Sequence, residues 1–139
     1  MRILNIEDNV IKHNDICKVL SGAGLRDVDW AGNFNEGVKM IEDHMSSDTP
    51  YDLVITDMWY PREAGGEEEE SGSLLIQMIK DKGWELPVIV CSSVRYRIPD
   101  ILGTVYYSPK ENWEVELRDL VRGISMVAEQ NSLKFEYLW

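Results

Sequence analysis

Positive charge is scarce in this sequence. Lysine and arginine number 14 against 25 aspartates and glutamates, a formal net charge of −11 over 139 residues. Direct nucleic-acid binding needs a basic footprint, so the charge argues against that class of function. Anionic membrane surfaces are disfavoured on the same ground, and a cation or a basic protein face is the easier partner. Long apolar runs are missing too: none approaches the roughly 18 residues of a membrane span. The N-terminal apolar stretch is short and broken by Asn5, Glu7 and Asp8, so no secretory signal is expected. Cysteine is limited to Cys17 and Cys91, which fall on segments read below as a helix and a strand interior. Two reduced core thiols are expected rather than a disulfide, which points to a cytoplasmic setting. His13 and His44 are far from any cysteine or paired histidine, and no metal role is assigned to them.

What the sequence does have is an apolar run that ends abruptly in a carboxylate, Leu53-Val54-Ile55-Thr56-Asp57-Met58-Trp59. Its length, its β-branched residues and the preceding Pro50 indicate a buried strand rather than a helix. Asp57 then sits where the strand leaves the sheet. In open α/β sheets ligands bind outside the carboxyl ends of the strands.

Strands and helices alternate along the rest of the chain. Arg2 to Ile6 is the first strand, ending at Glu7-Asp8-Asn9. Helical spacing of Ile16, Cys17, Val19 and Leu20 predicts a first helix from Val10 to Leu20, closed by Gly22 and Gly24. Val28 to Ala31 is a second strand. Asn33 or Asn35 caps a second helix with Phe34, Val38, Ile41 and Met45 on its apolar face. After the strand that ends at Asp57, Pro61 to Ser73 has no periodicity and reads as a long loop carrying Glu67 to Glu70. A third helix runs from about Leu74 to Lys82. Leu86 to Cys91 is the fourth strand, followed by Ser92-Ser93. Val94 to Leu102 leaves little room for a helix. Val105 to Tyr107 is the fifth strand. A last helix covers about Glu111 to Glu129, with Leu117, Leu120, Val121, Ile124 and Ala128 as its buried stripe.

This βα alternation predicts one domain with a parallel five-stranded sheet covered on both faces. Right-handed crossovers align the strands, so their carboxyl ends gather on one edge. That edge carries Glu7-Asp8, Asp57, Ser92 and Ser108-Pro109-Lys110. Carboxylates brought together repel one another and call for a cation. An all-oxygen donor set suits a hard ion such as Mg²⁺. A hydroxyl from Ser92 and an ammonium from Lys110 facing the same spot would make an anion site beside Asp57. Aspartate is a known covalent nucleophile that forms an aspartyl phosphate. A metal and a lysine would stabilise charge on the phosphoryl oxygens.

These segments resemble the receiver domain of response regulators, the phosphoacceptor module of two-component signalling. The matching pieces are Ile-Glu-Asp-Asn at the end of strand one, Asp-Leu-Val-Ile-Thr-Asp-Met-Trp-Tyr-Pro around Asp57, and Gly72-Ser-Leu-Leu-Ile opening helix three. Leu-Pro-Val-Ile-Val-Cys-Ser-Ser in strand four and Tyr-Tyr-Ser-Pro-Lys closing strand five complete the set. The resemblance covers roughly residues 1 to 130 and leaves an aromatic tail at 131 to 139. It implies a flavodoxin-like (βα)5 doubly wound fold of order 2-1-3-4-5, here with a shortened fourth helix. It implies that Asp57 accepts a phosphoryl group from a histidine kinase or a phosphotransfer protein. Glu7, Asp8, Asp57 and the Trp59 carbonyl would hold Mg²⁺. Ser92 and Lys110 would contact the phosphoryl group, and Tyr106 or Tyr107 would reorient on switching. Trp59 would also border the path of attacking water.

Three departures stand out. The family ends strand five with Lys-Pro, whereas this chain has Pro109-Lys110, displaced by one position. Ser108-Pro109-Lys110-Glu111 also fits a helix start, with Ser as cap and Pro at the first position. The loop after Asp57 is longer and carries four consecutive glutamates. The fourth helix is shortened or lost, leaving Arg95 and Arg97 as the clustered basic residues there.

The expectation is a phosphoacceptor rather than a turnover enzyme, with its output a protein contact or a phosphate relay. The alternative is a pseudo-receiver that binds partners without phosphorylation, favoured by the Pro-Lys inversion and opposed by the retained acidic residues and Ser92. A phosphatase-type hydrolase would want a second Asp where Trp59 stands. A flavin-binding domain would want a Ser/Thr/Gly-rich phosphate loop after strand one. The tail (Leu133, Phe135, Tyr137, Leu138, Trp139) either docks on the domain or forms a homodimer contact.

Overall fold

A computed structural model describes residues 1–124 of the chain. Among these residues, seven strands and three helices follow in the order β1 (Ile3–Ile6), α1 (Val10–Gly22), β2 (Val28–Ala31), α2 (Phe34–Met45), β3 (Leu53–Thr56), β4 (Tyr60–Pro61), β5 (Glu68–Glu69), α3 (Ser71–Lys82), β6 (Val88–Ser92) and β7 (Gly103–Tyr106). A fourth helix, α4, covers residues 113–124 of the described chain. Five strands form one parallel sheet in the order β2-β1-β3-β6-β7. This is the predicted 2-1-3-4-5 arrangement, because β4 and β5 make a separate antiparallel pair outside the sheet.

The central strands β1, β3 and β6 are buried along their whole length, as a sheet covered on both faces requires. Ile3, Leu53, Ile55 and Ile89 face one layer with Ile16, Leu20, Leu117 and Val121. Leu4, Ile6, Val54 and Val88 face the other with Ile41, Leu75 and Ile79. Asn9 caps α1 by accepting hydrogen bonds from the backbone N–H groups of Ile11 and Lys12, and Asn33 caps α2 through Glu36. The two cysteines are unpaired, with Cys91 buried and Cys17 half-buried.

Three sequence expectations change. The segment read as a long loop contains the β4–β5 hairpin, and α3 begins at Ser71 rather than near Leu74. Glutamates are poor strand formers, so propensity hid this pair. It is held by the buried Tyr60 and by an Arg62 Nε–Glu69 Oε1 ion pair of 3.2 Å. At the other end, Ser108 does not cap a helix. It closes a turn, accepting from Lys110 N at its hydroxyl and from Glu111 N at its carbonyl, and α4 starts at residue 113. The region between β6 and β7, where a shortened or lost helix is expected, holds no helix. Ala128 of the expected buried stripe and the aromatic tail lie outside the described residues. Among the described residues no helix is long and apolar enough to cross a membrane.

Candidate functional site

The strand ends converge as the parallel register demands. Glu7 N donates to Ala31 O, Asp57 N to Ile6 O and Tyr107 N to Ser92 O, carrying the ladder one residue past each strand. A cleft of about 340 Å³ opens at this edge. Glu7, Asp8, Asp57, Trp59, Ser92 and Tyr107 line it, all of them predicted site residues, together with Lys12 and Glu68, which were not. Two further predicted residues lie elsewhere. Lys110 is exposed and does not line the cleft, and Tyr106 stacks under Arg95 at 4.3 Å beside a neighbouring cavity.

The ammonium beside Asp57 comes from α1. Lys12 Nζ lies 2.9 Å from Asp57 Oδ2, 2.9 Å from Glu7 Oε2 and donates to Cys91 O at 2.7 Å. Its side chain is 7 % exposed and Glu7's is 2 % exposed. Burial pulls the Lys12 ammonium toward deprotonation, but the facing carboxylates of Glu7 and Asp57 prevail and hold its pKa above the usual lysine value. Burial also pushes Glu7 up to about 7, partly offset by Lys12. Lys12 escapes a motif search because a lone lysine in a helix matches no motif. Its position gives it away: Lys12, Ile16, Val19 and Leu20 are the buried stripe of α1, so a lysine occupies a place where the helix faces the sheet.

Backbone contacts fix Asp57. Its Oδ1 accepts the Met58 N–H at 2.7 Å, and Thr56 Oγ1 donates to the Asp57 carbonyl. Gly72, at the start of α3, donates its N–H to Met58 O at 3.0 Å. A Cβ at Gly72 would collide with the Asp57 carbonyl and lie 2.7 Å from Met58 Cα, so the helix reaches this close only because residue 72 is glycine. On the β1 side, Trp30 Nε1 donates to Glu7 O at 2.7 Å and its ring stacks on His13, while buried Asn5 Nδ2 donates to Ile55 O. On the far side Tyr107 donates to Asp15 Oδ2 at 2.6 Å, with Lys12 Nζ 5.4 Å from its ring centre. Ser92 is buried at the end of β6, and its hydroxyl accepts from Val94 N. Trp59, at the exposed side of the cleft, donates from Nε1 to Tyr96 Oη at 2.8 Å.

The charge at this edge is unbalanced. Glu7, Asp8, Asp57 and Glu68 face the single ammonium of Lys12. Glu68, brought in by the hairpin, has its carboxyl pushed up by a hydrogen bond with Asp8 and then by burial. Glu7 Oε2 is buried and, despite its closeness to Lys12, lacks a hydrogen bond of proper geometry. No three His, Cys, Asp or Glu side chains among the described residues are gathered closely enough to enclose an ion. The donors fit Mg²⁺ in its usual manner, through one or two carboxylates and several waters. Asp8 and Asp57, which line the open cleft, are the carboxylates that would reach such an ion, whereas Glu7 Oε2 is buried against Lys12.

No family model matches the chain. Solved structures match it closely in shape. The N-terminal domain of a response regulator/sensory box/GGDEF protein from Carboxydothermus hydrogenoformans superimposes with a TM-score of 0.65 at 21% identity, covering 95% of this chain and 99% of that one. A response regulator protein from Thermotoga maritima, solved in complex with Mg²⁺ and BeF, gives 0.66 at 22% identity over 88% and 97%. A signal receiver domain from Clostridium thermocellum gives 0.67 at 16% identity over 88% and 95%. The chain therefore has the fold of the response-regulator receiver domains. In sequence, it is 29% identical over 87 residues to two-component system protein A of Emericella nidulans, a match that covers 63% of this chain and 11% of that protein. The chain thus corresponds to about a tenth of the length of that relative.

Proposed function

We propose that this chain is a phosphoacceptor receiver domain of a two-component or phosphorelay system, phosphorylated on Asp57 with Mg²⁺ as cofactor. The observation that carries this reading is the placement of Asp57: a carboxylate fixed at the C-terminal end of the central strand, in an open cleft, beside one buried ammonium and three further carboxylates. A carboxylate oxygen of Asp57 attacks the phosphorus of an acyl phosphate or phosphohistidine. The bond from phosphorus to the leaving group breaks, and the leaving group departs with the electron pair. Mg²⁺, when bound, neutralises charge on the phosphoryl oxygens. The chain's own groups do the rest. Asp8 and Asp57 hold the ion, Lys12 offsets the charge of Asp57, and the Ser92 hydroxyl is placed to donate to a phosphoryl oxygen. Trp59 and Tyr96 restrict access of water to the acyl phosphate.

The domain acts once per phosphoryl group received and is not a turnover enzyme. Its partners are a histidine kinase or a phosphotransfer protein upstream and a protein target downstream, in a cytoplasmic setting that suits two free thiols. The pseudo-receiver alternative loses its main support, since an ammonium reaches Asp57 despite the Pro109-Lys110 order.

The test is intact mass after incubation with Mg²⁺ and acetyl phosphate, with Asp57→Asn alongside. A phosphoryl-sized gain in the wild type alone is expected. Gain in neither protein, with both folded, would return the pseudo-receiver reading. Gain in both would place the acceptor elsewhere.

A further inference from the structure

We infer that Lys12 is the phosphoryl-site lysine of this domain, an ammonium delivered by the first turn of α1 rather than by the end of β7. The inference deepens the phosphoacceptor reading and rests on it. Four observations carry it. Lys12 Nζ is 2.9 Å from Asp57 Oδ2, an atom of the group that reacts. Its other two contacts, Glu7 Oε2 and Cys91 O, come from the β1 and β6 ends, so three strand ends fix one ammonium at one point. Lys110 is exposed and outside the cleft, and the position before Pro109 is Ser108, which cannot supply charge. Finally, Lys12 sits three residues past the Asn9 cap, where a cation opposes the helix dipole. Burial adds to that cost. A lysine kept there against both effects is held by the carboxylates it faces.

In the transfer step Lys12 keeps its proton. As the Asp57 oxygen bonds to phosphorus, the carboxylate loses its charge to the phosphoryl group. The ammonium exchanges its contact with Asp57 for one with a phosphoryl oxygen. Its Glu7 and Cys91 contacts act as the fixed pivot. Lys12 and a bound cation also draw on the same carboxylate charge. Removing the ammonium therefore has opposite consequences for metal binding and for phosphorylation, which a purely structural residue would not produce.

The experiment compares wild type, Lys12→Met, Lys12→Arg and Glu7→Gln/Lys12→Met, with Lys110→Ala as the control for the displaced lysine. Phosphorylation by acetyl phosphate is followed as a rate, and Mg²⁺ affinity is read separately from intrinsic tryptophan fluorescence. Circular dichroism reports folding. Lys12→Met should slow phosphorylation by about tenfold or more while tightening Mg²⁺ by ~3-fold or more. Lys12→Arg, which keeps the charge but not the point geometry, should leave Mg²⁺ affinity near wild type and recover part of the rate. Lys110→Ala should match wild type in both.

Should Lys12→Met not fold, the double variant removes the Glu7 charge together with its ammonium and leaves only the more exposed Asp57 unpaired, and its phosphorylation should still be slow. Phosphorylation of a folded Lys12→Met or double variant at the wild-type rate would overturn the inference. So would weakened Mg²⁺ binding in folded Lys12→Met, which would mark Lys12 as merely structural. A wild type that binds Mg²⁺ but is never phosphorylated would instead overturn the phosphoacceptor reading. The two failures are told apart by which protein is inert.

Discussion

On the β1–β3 side of the cleft, Glu7, Lys12 and Asp57 are buried or nearly so, and each is tied to backbone or to a charged partner within 3.1 Å. On the β6–β7 side, residues 93–102 hold no helix, and the charged contact there is an exposed one. Arg95 pairs with Glu111 at 2.9 Å, with both side chains open to solvent, and stacks on Tyr106. A cavity of about 430 Å³ lies there, lined by Val94, Tyr96, Arg97 and Thr104 among others. The contrast shows where precision is needed. Charge at the acceptor must be fixed in low dielectric, where each displaced contact is costly. The other wall consists of pairs that contribute roughly 0–1 kcal/mol each and can rearrange cheaply. A surface that changes with the state of Asp57 is most economically built on that second wall.

The sharpest way to break this contrast is Gly72→Ala. The added methyl meets backbone at Asp57 and Met58, which cannot swing aside. A loss of about 1–3 kcal/mol is expected from overpacking, measurable by urea denaturation, together with slower phosphorylation as Asp57 is displaced. Gly37→Ala is the counterpart, since its methyl meets the Ile6 Cδ1 tip, 2.6 Å away, and a side chain can turn. It should cost less and leave phosphorylation intact.

A pH profile sharpens the comparison next. Glu7 has its pKa raised from 4.5 to about 7, mainly by burial. Between those values the unfolded chain has released a proton that the folded chain retains. Stability in Mg²⁺-free buffer should therefore be fully present below about pH 4.5, as far as this group is concerned, and fall as pH rises toward 7. Glu7→Gln should flatten that decline in a series of thermal melts. A slope that survives the substitution would assign it to other groups.

The smallest effect is expected across the divide. Tyr96→Phe removes the acceptor of the Trp59 indole N–H, an exposed hydrogen bond. Stability should change by less than about 1 kcal/mol. Loss of the phosphoryl group from Asp57 should quicken modestly as the indole comes free. An unchanged rate would mean that Trp59 shields the site without its anchor or does not shield it.

The strand order and the place of Asp57 were legible because buried parallel strands write themselves as apolar runs, and the runs end where the chemistry begins. Residues whose role depends on a distant partner were hidden. Lys12 looks like any charged helix residue until its offset from Ile16 and Val19 is noticed, and only the meeting of β1, β3 and β6 shows why it is tolerated. Glu68 was read as part of a solvated acidic loop, since nothing local announces a two-residue strand pair. The Ser108-Pro109 start fitted helix grammar but lost to the turn that precedes α4.

The short chain separation between Glu7 and Lys12 has a consequence for how the molecule forms. Five positions and one helix cap connect them, so their pairing closes a small loop at little entropic cost. Asp57 is 45 positions from Lys12 and the Cys91 carbonyl is 79. The acid and its ammonium can thus meet while the β1–α1 unit is still a local structure, well before β3 and β6 dock. The central strands then close over a pre-formed Glu7–Lys12 contact instead of burying a lone ammonium, and the most expensive desolvation in the domain is divided between an early local event and a late long-range one.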